Sequence, residues 1–145
     1  MAIKRLNPYL SFNGTAARAI RLYETALGAK VENVMRWNEA PGTEVTPETK
    51  DLVMHARLRI GDGILMVSDS QPNQPVTAGT NAHVTLDFDD PNDMGRKFEA
   101  LSAGGGKVTM PLADTFWGAK FGMLTDAYGV SWMFNCETKK SQETG

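Results

Sequence analysis

Cysteine is nearly absent from this chain of 145 residues: Cys136 stands alone, so no internal disulfide can form, as suits a reducing cytosol. Cys136 itself reads as a small half-buried residue near a strand end. Histidine is scarce too, with only His55 and His83. Neither sign of charge dominates, since 15 Lys and Arg stand against 17 Asp and Glu, for a net charge of −2. No basic field is available to attract nucleic acid or an anionic membrane surface. No apolar run approaches the roughly 20 residues of a bilayer span. The opening Met1-Ala2-Ile3-Lys4-Arg5 lacks a signal-peptide core and leads straight into a strand pattern. These absences lead us to expect a cytoplasmic protein with neither a membrane nor a nucleic-acid partner.

What the chain does have is a duplication. An alternating strand, Ile3 to Phe12, is followed by a helix capped at Asn13, with Ala16, Ile20, Tyr23 and Leu27 at helical spacing and Gly28 as its stop. A strand from Val31 to Trp37 comes next, then a polar excursion from Glu39 to Lys50 that reads as a mobile loop. Leu52 to Ile60 and Ile64 to Ser68 form a hairpin about Gly61-Asp62-Gly63, with Met54, Ala56, Leu58 and Ile60 set against His55, Arg57 and Arg59. The second copy opens with Ala82 to Phe88 and starts its helix at Asp90-Pro91, with Met94, Phe98 and Leu101 as the apolar stripe. Strands over Lys107 to Met110, Gly118 to Thr125 and Val130 to Asn135 complete it. The expected fold class is therefore α+β: two tandem β-α-β-β-β modules forming a cup-shaped mixed sheet with the helices outside. The boundaries are a first module over 1–69, a linker over 70–81, a second module over 82–137 and a frayed tail over 138–145.

Alternation assigns the faces. Leu10, Phe12, Leu65, Val67, Val84, Leu86, Trp132 and Phe134 belong against the helices. Asn7, Tyr9, His55, Arg57, Met66, Ser68, His83, Thr85, Met133 and Asn135 fall on the opposite, concave side, where a ligand site belongs. Asp69 and Asp87 lie at strand ends without a paired partner and read as solvated. The triple glycine Gly104-Gly105-Gly106 follows a helix, so it reads as a helix stop and turn and not as a phosphate cradle.

At this point the residues resemble a known family. Pro8-Tyr9-Leu10-Ser11-Phe12-Asn13-Gly14, Ala19-Ile20 with Tyr23, and Leu27-Gly28-Ala29 look like the PhnB-like branch of the vicinal-oxygen-chelate superfamily. So do His55-Ala56, Met66-Val67-Ser68-Asp69, Thr115-Phe116-Trp117, Thr125-Asp126, Gly129-Val130 and Trp132-Met133. That superfamily includes glyoxalase I, bleomycin-resistance proteins and extradiol dioxygenases. The resemblance implies a cup built from two modules and a homodimer in which chains pair or exchange modules. It also implies four metal-ligand positions in metal-using members, which fall here near Asn7, Met66, His83 and Met133. One imidazole, one amide and two thioethers suit no catalytic divalent ion, so no cofactor is expected. Some PhnB-like chains carry a 3-demethylubiquinone methyltransferase label. Methyl transfer of the usual kind needs a parallel sheet with a Gly-rich loop after its first strand, and this sequence has neither.

Two function classes remain. One is a metal-free binding module for a small organic, anionic molecule, with His55, Arg57, Met66, Ser68, His83, Phe116, Trp117 and Met133 as ligand-contacting candidates. Arg57 would take the anion through its fork of donors, and Met66 and Met133 would give an adaptable apolar lining. The other is a lyase, isomerase or dioxygenase-type enzyme with His55 or His83 as acid–base, using a divalent metal near them. The stripe His55, Arg57, Arg59 also fits a solvated or dimer-facing strand surface. Phe116 and Trp117 fit either a pocket wall or a core.

Overall fold

The duplication is realised element for element in the computed structural model, which describes residues 2–39, 42 and 45–138. The first module runs β1 (Tyr9–Phe12), α1 (Ala16–Leu27), β2 (Lys30–Arg36), a short 3-10 turn (Trp37–Glu39), β3 (Val53–Ile60) and β4 (Gly63–Asp69). The second runs β5 (Val84–Phe88), α2 (Pro91–Ser102), β6 (Lys107–Asp114), β7 (Ala119–Thr125) and β8 (Ser131–Glu137). Each module is a four-stranded mixed sheet, ordered β1-β4-β3-β2 and β5-β8-β7-β6. In both, the first strand pairs parallel to the last and the other pairings are antiparallel. The chain divides into two compact units between Thr77 and Ala78, within the Pro- and Gly-containing stretch after β4.

Burial follows the alternation. In the first module Phe12, Ala56, Leu58, Leu65 and Val67 are buried with Ala16, Ala19, Ile20, Tyr23 and Leu27 of α1. In the second, Trp132, Phe134 and Leu124 are buried with Met94, Phe98 and Leu101 of α2. There Phe134 stacks on Phe88 at 5.4 Å and meets the edge of Phe98 at 5.0 Å. Helix α1 stops at Gly28, whose φ of 73° is left-handed and whose N–H donates to the Glu24 carbonyl. Helix α2 starts where Asp90 accepts the Asn92 N–H at 2.9 Å, with Pro91 in the first turn. Its end bears out the glycine reading. Gly104 and Gly105 take φ of 71° and 110°, and a Cβ on Gly106 would meet the Ser102 carbonyl oxygen at 2.6 Å.

Four expectations need correction. Strand β1 begins at Tyr9, not Ile3: its parallel pairing with β4 starts at Tyr9 opposite Met66, Pro8 accepts from the Met66 N–H but has none of its own to extend the ladder upstream, and Ile3 and Leu6 are each 88% exposed. Asn13 does not cap α1. The N-cap is Thr15, without a side-chain bond, and the Asn13 amide instead exchanges hydrogen bonds with the Val76 backbone and accepts from Ser70. Asp69 is not solvated: it is 6% exposed, and its two oxygens accept the N–H groups of Ala16 and Val53 at 2.9 and 3.0 Å. One carboxylate thus holds the first residue of α1 and the start of β3 together. Finally, the buried residue at the start of β3 is Val53, not Met54, because the register slips there: Met35 faces His55 but Arg36 faces Val53. Met54 is the extra residue of a bulge. By contrast Asp87 is exposed as expected and accepts from Asn135 at 3.1 Å. Of the expected mobile loop, residues 40, 41, 43 and 44 lie outside the described residues, as does the expected frayed tail beyond Thr138.

Strand β6 runs longer than its sequence pattern, to Asp114, and is irregular. Its register against β7 shifts twice, once between Val108 and Met110 and again between Met110 and Ala113, around Pro111. At that second shift a Cβ on Gly122 would come within 2.8 Å of Leu112 and 3.0 Å of the Met110 carbonyl oxygen. The bulged edge strand needs glycine opposite it.

Candidate functional site

The sheet faces turned away from the helices carry the site candidates, and the two modules furnish them differently. In the first, pairing lines up Tyr9 of β1, Met66 of β4, Arg57 of β3 and Asn33 of β2 in one row across the sheet. Ser11 and Ser68 pair in the neighbouring row, and His55 pairs with Met35. The Tyr9 hydroxyl reaches His55 Nδ1 at 3.1 Å, with the two rings edge-on at 5.7 Å. With Nδ1 as acceptor the phenol donates and Nε2 carries the imidazole proton; with Nδ1 protonated the roles reverse. The sequence-predicted His55, Arg57, Met66 and Ser68 therefore do share one face, and Tyr9 joins them through His55.

In the second module the equivalent row reads Thr85, Met133, Met123 and Met110. Met133 stands where the first row has Met66, the thioethers of Met123 and Met110 replace Arg57 and Asn33, and beside them Phe121 pairs with Asn135. Trp117 meets Phe121 at 6.3 Å and Phe116 at 5.0 Å. Phe116 and Trp117 occupy the β6–β7 turn and are 95% and 59% exposed, so neither is a core aromatic of its own module. His83 precedes β5, outside the paired strand, and is exposed.

One participant escaped sequence reasoning. Glu32 is the extra residue of a second bulge, since Lys30 and Val31 face Arg59 and Leu58 but Asn33 faces Arg57. Its carboxylate accepts from Arg57 Nε at 3.1 Å and from Arg59 Nε at 2.7 Å. Those bonds, Arg59's the stronger influence, hold the Glu32 carboxyl below the usual glutamate range. The signal was present: Val31 and Val34 are three apart where an unbroken strand would space them by two.

The four residues that the family resemblance would place at a metal, Asn7, Met66, His83 and Met133, offer one imidazole, one amide and two thioethers, a donor set that does not fit a hard or borderline divalent cation. Among the described residues no three of His, Cys, Asp and Glu gather into a group able to hold a metal. Cys136 is buried, and burial pushes its thiol up, with Asp89 and Asp90 adding to the shift, which disfavours the thiolate. Among the described residues no helix is long and apolar enough to cross a membrane.

Comparison with known proteins agrees with this architecture. Residues 5–134 match the model of the Glyoxalase/Bleomycin resistance protein/Dioxygenase superfamily. Protein YjdN of Escherichia coli is 33% identical over 139 residues, covering 90% of this chain and 93% of its own. The crystal structure of PA1353 from Pseudomonas aeruginosa superposes with a TM-score of 0.84 at 40% identity, over 94% of this chain and all of that one. A PhnB protein from Bacillus cereus follows with a TM-score of 0.76 at 25% identity, over 92% of this chain and 99% of its own. By its two β-α-β-β-β modules and by its match over nearly the whole length, the chain belongs to the glyoxalase/bleomycin-resistance/dioxygenase superfamily and is similar to a PhnB protein within it.

Proposed function

We propose that this chain is a binding protein for a small organic anion, taken on the open face of the first module without a resident catalytic metal. The observation that carries this reading is the Tyr9–His55 hydrogen bond on the face where Tyr9 shares a row with Met66 and Arg57 and where Ser68 also lies. A guanidinium supplies charge-assisted donors for a carboxylate or phosphate. The phenol and imidazole add a donor and an acceptor, and the thioether packs against an apolar body. The methionine row of the second module, with Phe121 and Trp117, is suited to flat apolar surfaces. Enzymatic use of a divalent metal near His83 and His55 is disfavoured by the donor chemistry described above.

A titration of the purified protein with aromatic carboxylates and phosphates tests this. Arg57→Ala should weaken any ligand found roughly tenfold to a hundredfold, the span expected for one charge-assisted contact. Tyr9→Phe should weaken it less. Elemental analysis after incubation with zinc, nickel and manganese should find no stoichiometric metal. Binding indifferent to Arg57, or one tightly held ion per chain that His83→Ala removes, defeats the reading.

The reading also takes the protein to be a cytoplasmic homodimer, because sheets with open edges gain from cover by a second copy. Light scattering at micromolar concentration should give twice the chain mass, and a monomeric mass would count against it.

A further inference from the structure

The pairing of Arg57 and Arg59 with Glu32 has the form of an occupied anion site. Two arginines on alternate positions of β3 converge on a single carboxylate, each through one Nε–H. Neither makes the two-pronged contact that a guanidinium offers a carboxylate or phosphate, so the pair holds Glu32 by less than its full capacity. The charges do not cancel, since two cations meet one anion. The ion pairs are also partly exposed, with side-chain exposures of 35%, 46% and 33% for Arg57, Arg59 and Glu32. Ion pairs this open to water are weak and readily exchanged. Glu32 reaches the arginines only because β2 carries an extra residue at that point, and a bulge interrupts the ladder in order to re-aim a side chain.

We propose that Arg57 and Arg59 together form the recognition site for the oxyanion of the ligand, and that Glu32 fills this site in the free protein and is displaced when the anion enters. The proposal rests on the reading of the first module's face as an anion site and adds its second cation and its internal competitor. Glu32 then sets a threshold. A ligand must offer the arginines more than one glutamate does, which favours a bidentate carboxylate or a phosphate over a weakly basic oxygen. Arg59, on the far side of Arg57 from His55 along β3, extends the site toward the Gly61-Asp62 turn and away from the Tyr9–His55 pair.

The test is a titration of the intact chain with benzoate and with phenyl phosphate, following the Nε–H resonances of Arg57 and Arg59 by NMR. Glu32→Gln should bind either probe about tenfold more tightly than the natural chain, the gain expected if the competitor occupies the arginines about nine-tenths of the time. Glu32 is an exposed edge-strand residue, so the variant keeps the core. Asp62→Asn, which removes one negative charge from the exposed β3–β4 turn, is the control for charge alone and should leave affinity within about twofold. Arg59→Ala in the Glu32→Gln background should abolish the gain. If Glu32→Gln binds no better than the natural chain, or Asp62→Asn gains equally, displacement is wrong, while Arg57-dependent binding by the natural chain would leave the anion reading intact. If neither chain binds either probe, both fall.

Discussion

Asp69→Ala should be among the most damaging substitutions of a charged residue in the chain, lowering stability by roughly 3–5 kcal/mol in urea unfolding. The carboxylate is buried and accepts one backbone N–H from each of two elements, Ala16 of α1 and Val53 of β3. Its removal strands both donors away from water, at about 1–3 kcal/mol each. The charge near the N-terminus of α1, where the helix dipole favours an anion, is lost as well. Asp69→Asn should cost less, since one oxygen remains to accept while the new NH2 group opposes the other donor. Amide exchange should quicken first at Ala16 and Val53. A loss below about 0.5 kcal/mol for the alanine variant would mean that water replaces the carboxylate and that the staple is unimportant.

Trp132→Ala is expected to cost about 3–5 kcal/mol, the range for removing a fully buried large aromatic. Trp132 is completely buried in the second module and pairs with Val84 on β5 and Leu124 on β7, so the cavity would open at the centre of the sheet. Its indole Nε1–H donates to Asp126 Oδ2 at 2.9 Å, while Asp126 Oδ1 accepts from Tyr128 and Val130 and shapes the β7–β8 turn. Trp132→Phe separates the two contributions. It keeps most of the apolar volume and removes the indole donor from a buried carboxylate, at about 1–3 kcal/mol. Equal losses for the two variants would show that the hydrogen bond, not the packing, dominates.

Asp69 marks where sequence reasoning stopped, and the two faces of the central strands mark where it reached. The faces of β4 and β8 were legible because one side is dry and the other wet, so Leu65 and Val67 separate cleanly from Met66 and Ser68. The stop of α2 was legible because three glycines in a row after a helical stripe admit few other conformations. Asp69 was not legible, because the helix it serves lies over fifty residues earlier and no local pattern connects them. Asn13 misled for the complementary reason: it has a capping chemistry at a capping distance, but Ser70 and Val76 compete for its amide and win. In the candidate site, period-two alternation brought His55, Arg57, Met66 and Ser68 to one face. It does not count the residues opposite, so the bulge that delivers Glu32 to the arginines was missed.

The irregularities of the outer strands have a further consequence, for solubility. Among the described residues each sheet ends in two strands with no further strand paired to their outer edge, a template on which a foreign strand can grow. In the first sheet, β1 is only four residues long and follows Pro8, while β2 is broken by two register shifts and carries Lys30, Glu32 and Arg36. In the second, β5 is five residues long and runs into Asp89-Asp90-Pro91, and β6, despite its exposed Val108 and Met110, is twice displaced around a proline with no N–H to offer. No edge presents a long, flat, fully available ladder. The same bulges that aim side chains thus also protect the outer strands of both sheets from fibrous aggregation.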